Sequence, residues 1–315
     1  MTRESPAPVR EADSPTQVFP FVSVVVPVRN GERSLDACLG SLAGQDYPAG
    51  RHEILVVDNG STDRTPEIID SYPVRHLQEP QRGVSHARNR GIEEAQGEIV
   101  AFLDGDCTAD PTWLRGIADP FGDPQVGCVA GELRHIEPTT PAERQAKRLL
   151  GRWQQFAFSS KPPYAITANA AYRREVFEVI GRFDPKLPRA QDVEIGLRFH
   201  AGSPLRLAYG GNAIARHQHR PTQLGFFRQQ LGWAYGAGLV GAKFEALGGD
   251  PVKPPRIREI TKVLRGLSIV AWARIRGRGQ PGWIENAYYD LIRQIAWFVG
   301  ARVGLRRGAK IWQSG

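Results

Sequence analysis

Cysteine is scarce in this 315-residue chain: Cys38, Cys107 and Cys128 are all it has. An odd trio without metal-finger spacing argues against a disulfide framework and suits small buried thiols in a reducing compartment. Long apolar runs are missing too. The first twenty residues, MTRESPAPVREADSPTQVFP, are polar and proline-rich with no apolar stretch of signal-peptide length, so residues 1–20 are expected to be a loose leader on a cytoplasmic protein. No serine or cysteine nucleophile constellation is evident. Nothing matches a DNA- or RNA-binding module, so nucleic acid is not an expected partner. What is present is 41% hydrophobic residues, enough at this length for one large α/β domain with appendages.

The net charge of +8 is unevenly placed. From residue 251 onward there are 13 Lys+Arg against 3 Asp+Glu, a balance of +10, and residues 1–250 hold 28 against 30, a balance of −2. The basic tail also carries Trp272, Trp283, Trp297 and Trp312. Within it Ile284, Tyr288, Leu291, Ile295 and Val299 recur at helical spacing, while Arg293 and Arg302 interrupt any run long enough to span a bilayer. Residues 246–315 therefore read as a basic, tryptophan-rich helical region. Its apolar stripe either packs on the rest of the protein or lies on an anionic membrane surface, the latter making the protein peripheral to the inner face of the cell membrane.

Short β-branched or apolar runs at 21–28, 53–57, 74–77, 98–103 and 126–130 alternate with helical spacing at 32–44, 63–71, 84–96 and 110–119. Such alternation predicts an α/β fold, Rossmann-like, with a mostly parallel sheet and helices on both faces, over residues 21–245. Ligands of these sheets bind beyond the carboxyl ends of the strands. Those ends read Pro27-Val28-Arg29-Asn30-Gly31, Asp58-Asn59-Gly60-Ser61-Thr62-Asp63 and Asp104-Gly105-Asp106. Ser61 and Asp63 are expected to cap the following helix, whereas Asp58 closes a buried strand and needs a partner. Asp104 and Asp106 lie so close that they require a cation or a hydrogen-bonding ligand between them, and hard oxygen ligands favour Mg²⁺ or Mn²⁺ on a diphosphate.

The segments VSVVVPVRN, ILVVDNGSTDRT, GVSHARNRGI and GEIVAFLDGDC, in that order, resemble the family-2 glycosyltransferases with the GT-A fold, over roughly residues 21 to 240. The resemblance implies that Pro27 and Asn30 shape a nucleotide pocket, Asp58 bonds the base, Arg88 approaches the nucleotide, Asp104 contacts the ribose and Asp106 the metal. AITANAAYRR resembles a second landmark and places Asn169 beside the reacting sugar. In GRFDPKLPRAQDVEIGLRFHAG, Asp192 matches the general base, with Gln191 where the family has glutamate. Losing that negative neighbour makes Asp192 a slightly weaker base than in the family pattern. Glu194 is either an acceptor contact or a solvated acid in the first helical turn. Residues 205–217 read as two short strands around a Gly-Gly turn, and His217 or His219 then completes the metal or diphosphate site; Arg216 or Arg220 meets phosphate or stays on the surface.

The implied activity is inverting transfer of a sugar from a nucleoside-diphosphate-sugar donor to a hydroxyl acceptor, such as a lipid-linked or cell-envelope glycan precursor. Two other readings are a nucleotidyltransferase of similar fold and a non-catalytic nucleotide-sugar-binding protein. Arg29-Asn30-Gly31-Glu32-Arg33 is too short and acidic for the first, and the retained Asp104, Asp106 and Asp192 argue against the second.

Overall fold

The computed structural model describes residues 19–249 and 281–312, with several residues between 261 and 276. The leader lies outside them apart from Phe19 and Pro20, as do parts of the basic tail and the side chain of Trp283.

The β-branched runs form one eight-stranded sheet. Its strands are β1 (Val22–Val28), β2 (His52–Asp58), β3 (Arg75–Gln78), β4 (Ile99–Leu103), β5 (Cys107–Ala109), β6 (Val126–His135), β7 (Asn169–Arg173) and β8 (Arg206–His217), in the order β3-β2-β1-β4-β7-β6-β8-β5. The first four pair in parallel, as alternation with helices dictates. Beyond β4 the sheet is mixed: β7 runs antiparallel to β4 and β6, and β5 antiparallel to β8. Since β6 and β8 also pair in parallel, four of the seven strand pairings are parallel, and the expected mostly parallel sheet stands with antiparallel β7 and β5 added beyond β4. Between β6 and β7 the chain makes a long helical excursion, α5 (Pro141–Leu150) and α6 (Trp153–Phe158), and re-enters the sheet at the end it left, which makes the two strands antiparallel.

Every residue of β1 is buried. Because side chains alternate along a strand, Val22, Val24, Val26 and Val28 enter one core with Leu35, Leu39 and Leu42 of α1 (Leu35–Ala43) and Trp113 of α4 (Trp113–Ala118). Val25, Val100 and Phe102 enter the other, with Ala87 and Ile92 of α3 (Val84–Glu94). Phe102 anchors that second layer by meeting Tyr172, Phe177 and Phe183 edge-on, at centroid distances of 6.3, 6.2 and 5.5 Å. All three cysteines are buried and free.

Residues 205–217 are not a hairpin but the single strand β8. Its register against β6 jumps from Gly131↔Gly210 to Glu132↔Ile214, so a bulge stands between. Two contacts make the bulge specific. The Asn169 amide donates to Ala213 O at 2.8 Å, and Gly116 of α4 lets the helix come so near that a Cβ there would lie 2.4 Å from Ala213 N.

The remaining helices are α2 (Thr65–Asp70), α7 (Arg174–Ile180), α8 (Gln191–Gly202), α9 (Gln223–Ala246) and α10 (Pro281–Trp312). The last two lie backbone against backbone: a Cβ on Gly304 would stand 2.1 Å from Tyr235 O, and one on Gly238 2.4 Å from Ala301 O. The small residues of α10 thus face α9. The aliphatic stripe read from the sequence divides, with Leu291 buried and Tyr288, Ile295 and Val299 exposed beside Val303.

Candidate active site

At the carboxyl ends of β1 and β2 two loops are tied together by short polar side chains. Asn30 sits at φ 52°, a left-handed conformation that asparagine tolerates, and its Oδ1 accepts from Thr62 N at 2.9 Å. The Asn30 N–H in turn donates to Ser61 Oγ. Asp58, buried at the end of β2, accepts from Ser61 N at 3.0 Å and Ser61 Oγ at 2.5 Å through one oxygen, Oδ1. Ser61 is therefore a link between the loops rather than a helix cap. Asp63 bonds Thr65 N and Oγ1 and also Glu32 N across the gap.

The acid pair follows β4. Asp104 accepts from Arg88 Nη2 at 2.8 Å. Arg88 is 4% exposed and lies under Phe183, so it holds Asp104 in place instead of opening toward a nucleotide. That corrects the expectation of a direct nucleotide contact; burial makes the guanidinium a support for the carboxylate. Asp106 faces His217 Nε2 at 3.4 Å and Arg220 Nη2 at 3.5 Å, both longer than tight hydrogen bonds. Arg216 is taken by Asp110.

Asp192 and Glu194 share the first turn of α8 but differ completely. Burial raises the pKa of Asp192 above the usual carboxylate value, and Arg88 and the Val193 N–H offset this only in part, with Asp104 adding to the rise. Among the described residues no cation forms an ion pair with it. Burial thus sets its basicity, outweighing any effect of the neighbouring amide Gln191, whose Nε2 is bonded to Leu187 O. Glu194 is 3% exposed and held by Arg198 at 2.8 Å and Lys243 at 2.7 Å, and Lys243 also pairs with Asp184. It is neither a solvated acid nor an acceptor contact, because both of its oxygens are already in ion pairs.

Asn169 departs from expectation for a similar reason. It is fully buried; its Oδ1 accepts from Trp113 Nε1 at 2.8 Å, and its Nδ2 donates to Glu132 O and Ala213 O at 2.9 and 2.8 Å. Both amide hydrogens are used and the side chain is fully buried, so Asn169 organises the sheet.

The two histidines also separate. His217 ends β8 beside Asp106, whereas the chain leaves the strand at Gln218, so strict alternation no longer aligns His219. His219 Nε2 lies 2.6 Å from His135 Nδ1, and His135 Nε2 lies 2.6 Å from Gly151 O. A carbonyl only accepts, so His135 donates from Nε2 and accepts at Nδ1 from His219. Burial, with His217 and His135, pushes the pKa of His219 down to about 3, which keeps it neutral. Its Nε2 is thus taken by His135, while its Nδ1, like that of His217, is buried without a partner among the described residues.

Among the described residues no group of three or more His, Cys, Asp and Glu side chains is gathered to hold a metal unaided. Asp106 and His217, whose buried Nδ1 has no partner, suit a divalent ion that draws most of its ligands from diphosphate and water.

Beside these groups opens a cleft of about 470 Å³ lined by Pro27, Val28, Arg29, Asn30, Asn59, Gly83, Val84, Ala87, Pro188 and Arg189. Pro27 and Asn30 were expected there. Asn59 and Arg189 were not. Asn59 shapes one wall by donating to Glu79 O and Gln81 O and accepting from Gly83 N. Its place in the Asp-Asn-Gly turn was the available signal; for Arg189 the spacing offered none.

A parallel half-sheet with acidic strand ends and a following mixed half with helices on both faces define an architecture of the GT-A kind. The family model described as glycosyl transferase family 2 matches residues 23–181, and the chain belongs to that family. It is a glycosyltransferase. Glycosyltransferase AglE of Haloferax volcanii is 37% identical over 216 residues, which are 65% of this chain and 69% of that one. The probable glycosyltransferase YdaM of Bacillus subtilis is 29% identical over 256 residues, 72% of this chain and 58% of that one. Among solved structures, the mannosyltransferase PcManGT of Pyrobaculum calidifontis, in complex with GDP-Man and Mn²⁺, superposes with a TM-score of 0.56 at 22% identity, covering 98% of this chain and 92% of that one. This last likeness concerns the fold.

Proposed function

We propose that the enzyme transfers a glycosyl group from a nucleoside-diphosphate sugar to a hydroxyl acceptor, inverting the anomeric configuration. The observation that carries this is Asp192, a carboxylate made more basic by burial and left without an ion-pair partner among the described residues, close enough to Asp104 to feel its charge. Asp192 takes the proton of the acceptor hydroxyl while that oxygen bonds to the anomeric carbon. The bond from that carbon to the diphosphate oxygen breaks on the opposite face, and the nucleoside diphosphate leaves. Pro27, Asn30 and Asp58 form the nucleotide pocket, with the second oxygen of Asp58 free of the Ser61 bonds, and Asp104 meets the ribose. A divalent ion on Asp106 and His217 supplies neutralisation of leaving-group charge when bound. The PcManGT complex with GDP-Man and Mn²⁺ supports the choice of donor and ion.

The catalytic unit comprises residues 21–245, and the tail brings it to an anionic membrane surface where a lipid-linked acceptor is presented. Supporting this are the tail's balance of +10 and the outward Tyr288, Ile295, Val299 and Val303 on α10. No helix among the described residues is long and apolar enough to cross a membrane.

The test is release of nucleoside diphosphate from UDP-, GDP- and dTDP-sugars, with and without Mn²⁺, followed by NMR of the product anomer. Retained configuration, or no turnover of any donor, overturns the reading; undiminished turnover by Asp106→Ala overturns the metal assignment. Sedimentation with phosphatidylglycerol vesicles, comparing the full chain with a Tyr288/Ile295/Val299→Ser variant, tests the surface, and equal binding by the two rejects the stripe.

A further inference from the structure

The segment that leads from Asp184 into α8 carries an arginine that the reaction as described does not use. Arg189 lies three residues before Asp192 and lines the cleft with Pro188, together with Pro27, Val28, Arg29 and Asn30 from the end of β1. Three other arginines near the acid cluster have carboxylates, Arg88 on Asp104, Arg216 on Asp110 and Arg220 within 3.5 Å of Asp106, while Arg29 at the end of β1 is exposed. Among the described residues the Arg189 guanidinium has neither an ion pair nor a hydrogen bond.

Its position is nevertheless built. α9 presents bare backbone to it at two turns of the helix: a Cβ on Gly236 would lie 2.6 Å from Arg189 Cβ and 2.8 Å from its carbonyl carbon, and one on Gly232 3.3 Å from its Nε. Immediately after it, Ala190 takes φ 60° and ψ 28°, a left-handed conformation unusual for a residue with a side chain, and this turns the chain into the first turn of α8. An unpaired cation is thus seated at the cleft one strained residue away from the helix that bears the base. Its side chain is exposed at the cleft, with Arg220 and Arg88 as neighbouring like charges and Asp104 and Asp106 as neighbouring opposite ones.

We propose that Arg189 is a ligand of the donor's diphosphate, closing the cleft opposite the β1 loop and pairing with the charge that grows on the leaving group. The planar fork of a guanidinium fits two phosphate oxygens at once, which an ammonium does not. Since only Ala190 separates this contact from α8, occupation of the diphosphate site also holds the first turn of that helix in place for Asp192.

This inference rests on the nucleoside-diphosphate donor proposed above, and one calorimetric experiment separates the two. The full chain is titrated in Mn²⁺ with UDP, GDP, dTDP, uridine, guanosine and thymidine, using native protein, Arg189→Gln and Arg189→Lys, with thermal melting to confirm folding. Native protein is expected to prefer one diphosphate over its nucleoside. Arg189→Gln should lose about ten- to a hundredfold of that preference while keeping its nucleoside affinity, and Arg189→Lys should retain part of it. If the glutamine variant keeps the native preference, or loses diphosphate and nucleoside affinity equally, Arg189 is not a diphosphate ligand. If native protein binds none of the three diphosphates, the donor reading itself fails and takes this one with it.

Discussion

The two ends of the parallel half-sheet are built from the same kinds of residue and behave in opposite ways. At the amino ends, Glu53 accepts from Ser23 Oγ at 2.6 Å and Gln96 N at 2.8 Å and pairs with Arg75 at 2.7 Å, and Arg75 also reaches Glu94 at 2.9 Å. Burial works to raise the pKa of Glu53, but Ser23, Gln96 and Arg75 together hold it below the usual value. That network is closed. At the carboxyl ends Asp106 has only distant partners, Asp192 has a raised pKa, and Arg189 has no ion pair among the described residues. Closed networks stabilise the fold; open ones keep charge available for a ligand, at a cost in stability.

The contrast breaks most sharply at Asp192. Asp192→Asn should lower kcat by about 10²–10⁴-fold, the usual worth of a positioned base, without lowering the melting temperature, because it removes a desolvated charge. A loss of less than tenfold would place the base elsewhere. In the native enzyme the acid limb of the rate profile should lie above the ordinary carboxylate range, since the deprotonated form is active and its pKa is raised. For stability the sign is reversed. The folded state binds this proton more readily than the unfolded state, so the site's penalty shrinks as pH falls from neutral through the folded pKa. Urea midpoints at several pH values, compared with Asp192→Asn, measure this.

A middle-sized effect is expected at Asn169. Asn169→Ala leaves the Trp113 N–H and two carbonyls unpaired, costing about 2–4 kcal/mol in urea unfolding, with donor KM unchanged in the molecules that remain folded. A changed donor KM at full stability would return Asn169 to the sugar. The smallest effect belongs to the closed end: Glu53→Gln should cost about 1 kcal/mol, because Arg75 is 38% exposed and solvent screens the pair, and should leave turnover per folded molecule unaltered.

Much of the first half was legible because its signals are local. Buried β-branched runs can only be central strands, and Asp58, Asp104 and Asp106 follow them directly in sequence. Asp192 and Glu194 could not be told apart by spacing, since what separates them is Lys243, which lies 49 residues beyond Glu194. His219 faces His135 from 84 residues away, and Asn169 meets Trp113 from 56. The bulge in β8 was read as a turn because Gly-Gly suits both, and only the Asn169 amide and the approach of α4 select the bulge.

By itself the sequence determined the α/β order, the acidic strand ends and the place of Asp192 at the start of a helix, because hydrophobic period and turn chemistry act over a few neighbouring residues. Which acids are held in ion pairs, which histidine stands by Asp106, and that Arg189 reaches the cleft were decided by tertiary structure. Each depends on whether a partner distant in sequence arrives within about 3 Å, where an ion pair or hydrogen bond forms and removes the group from chemistry.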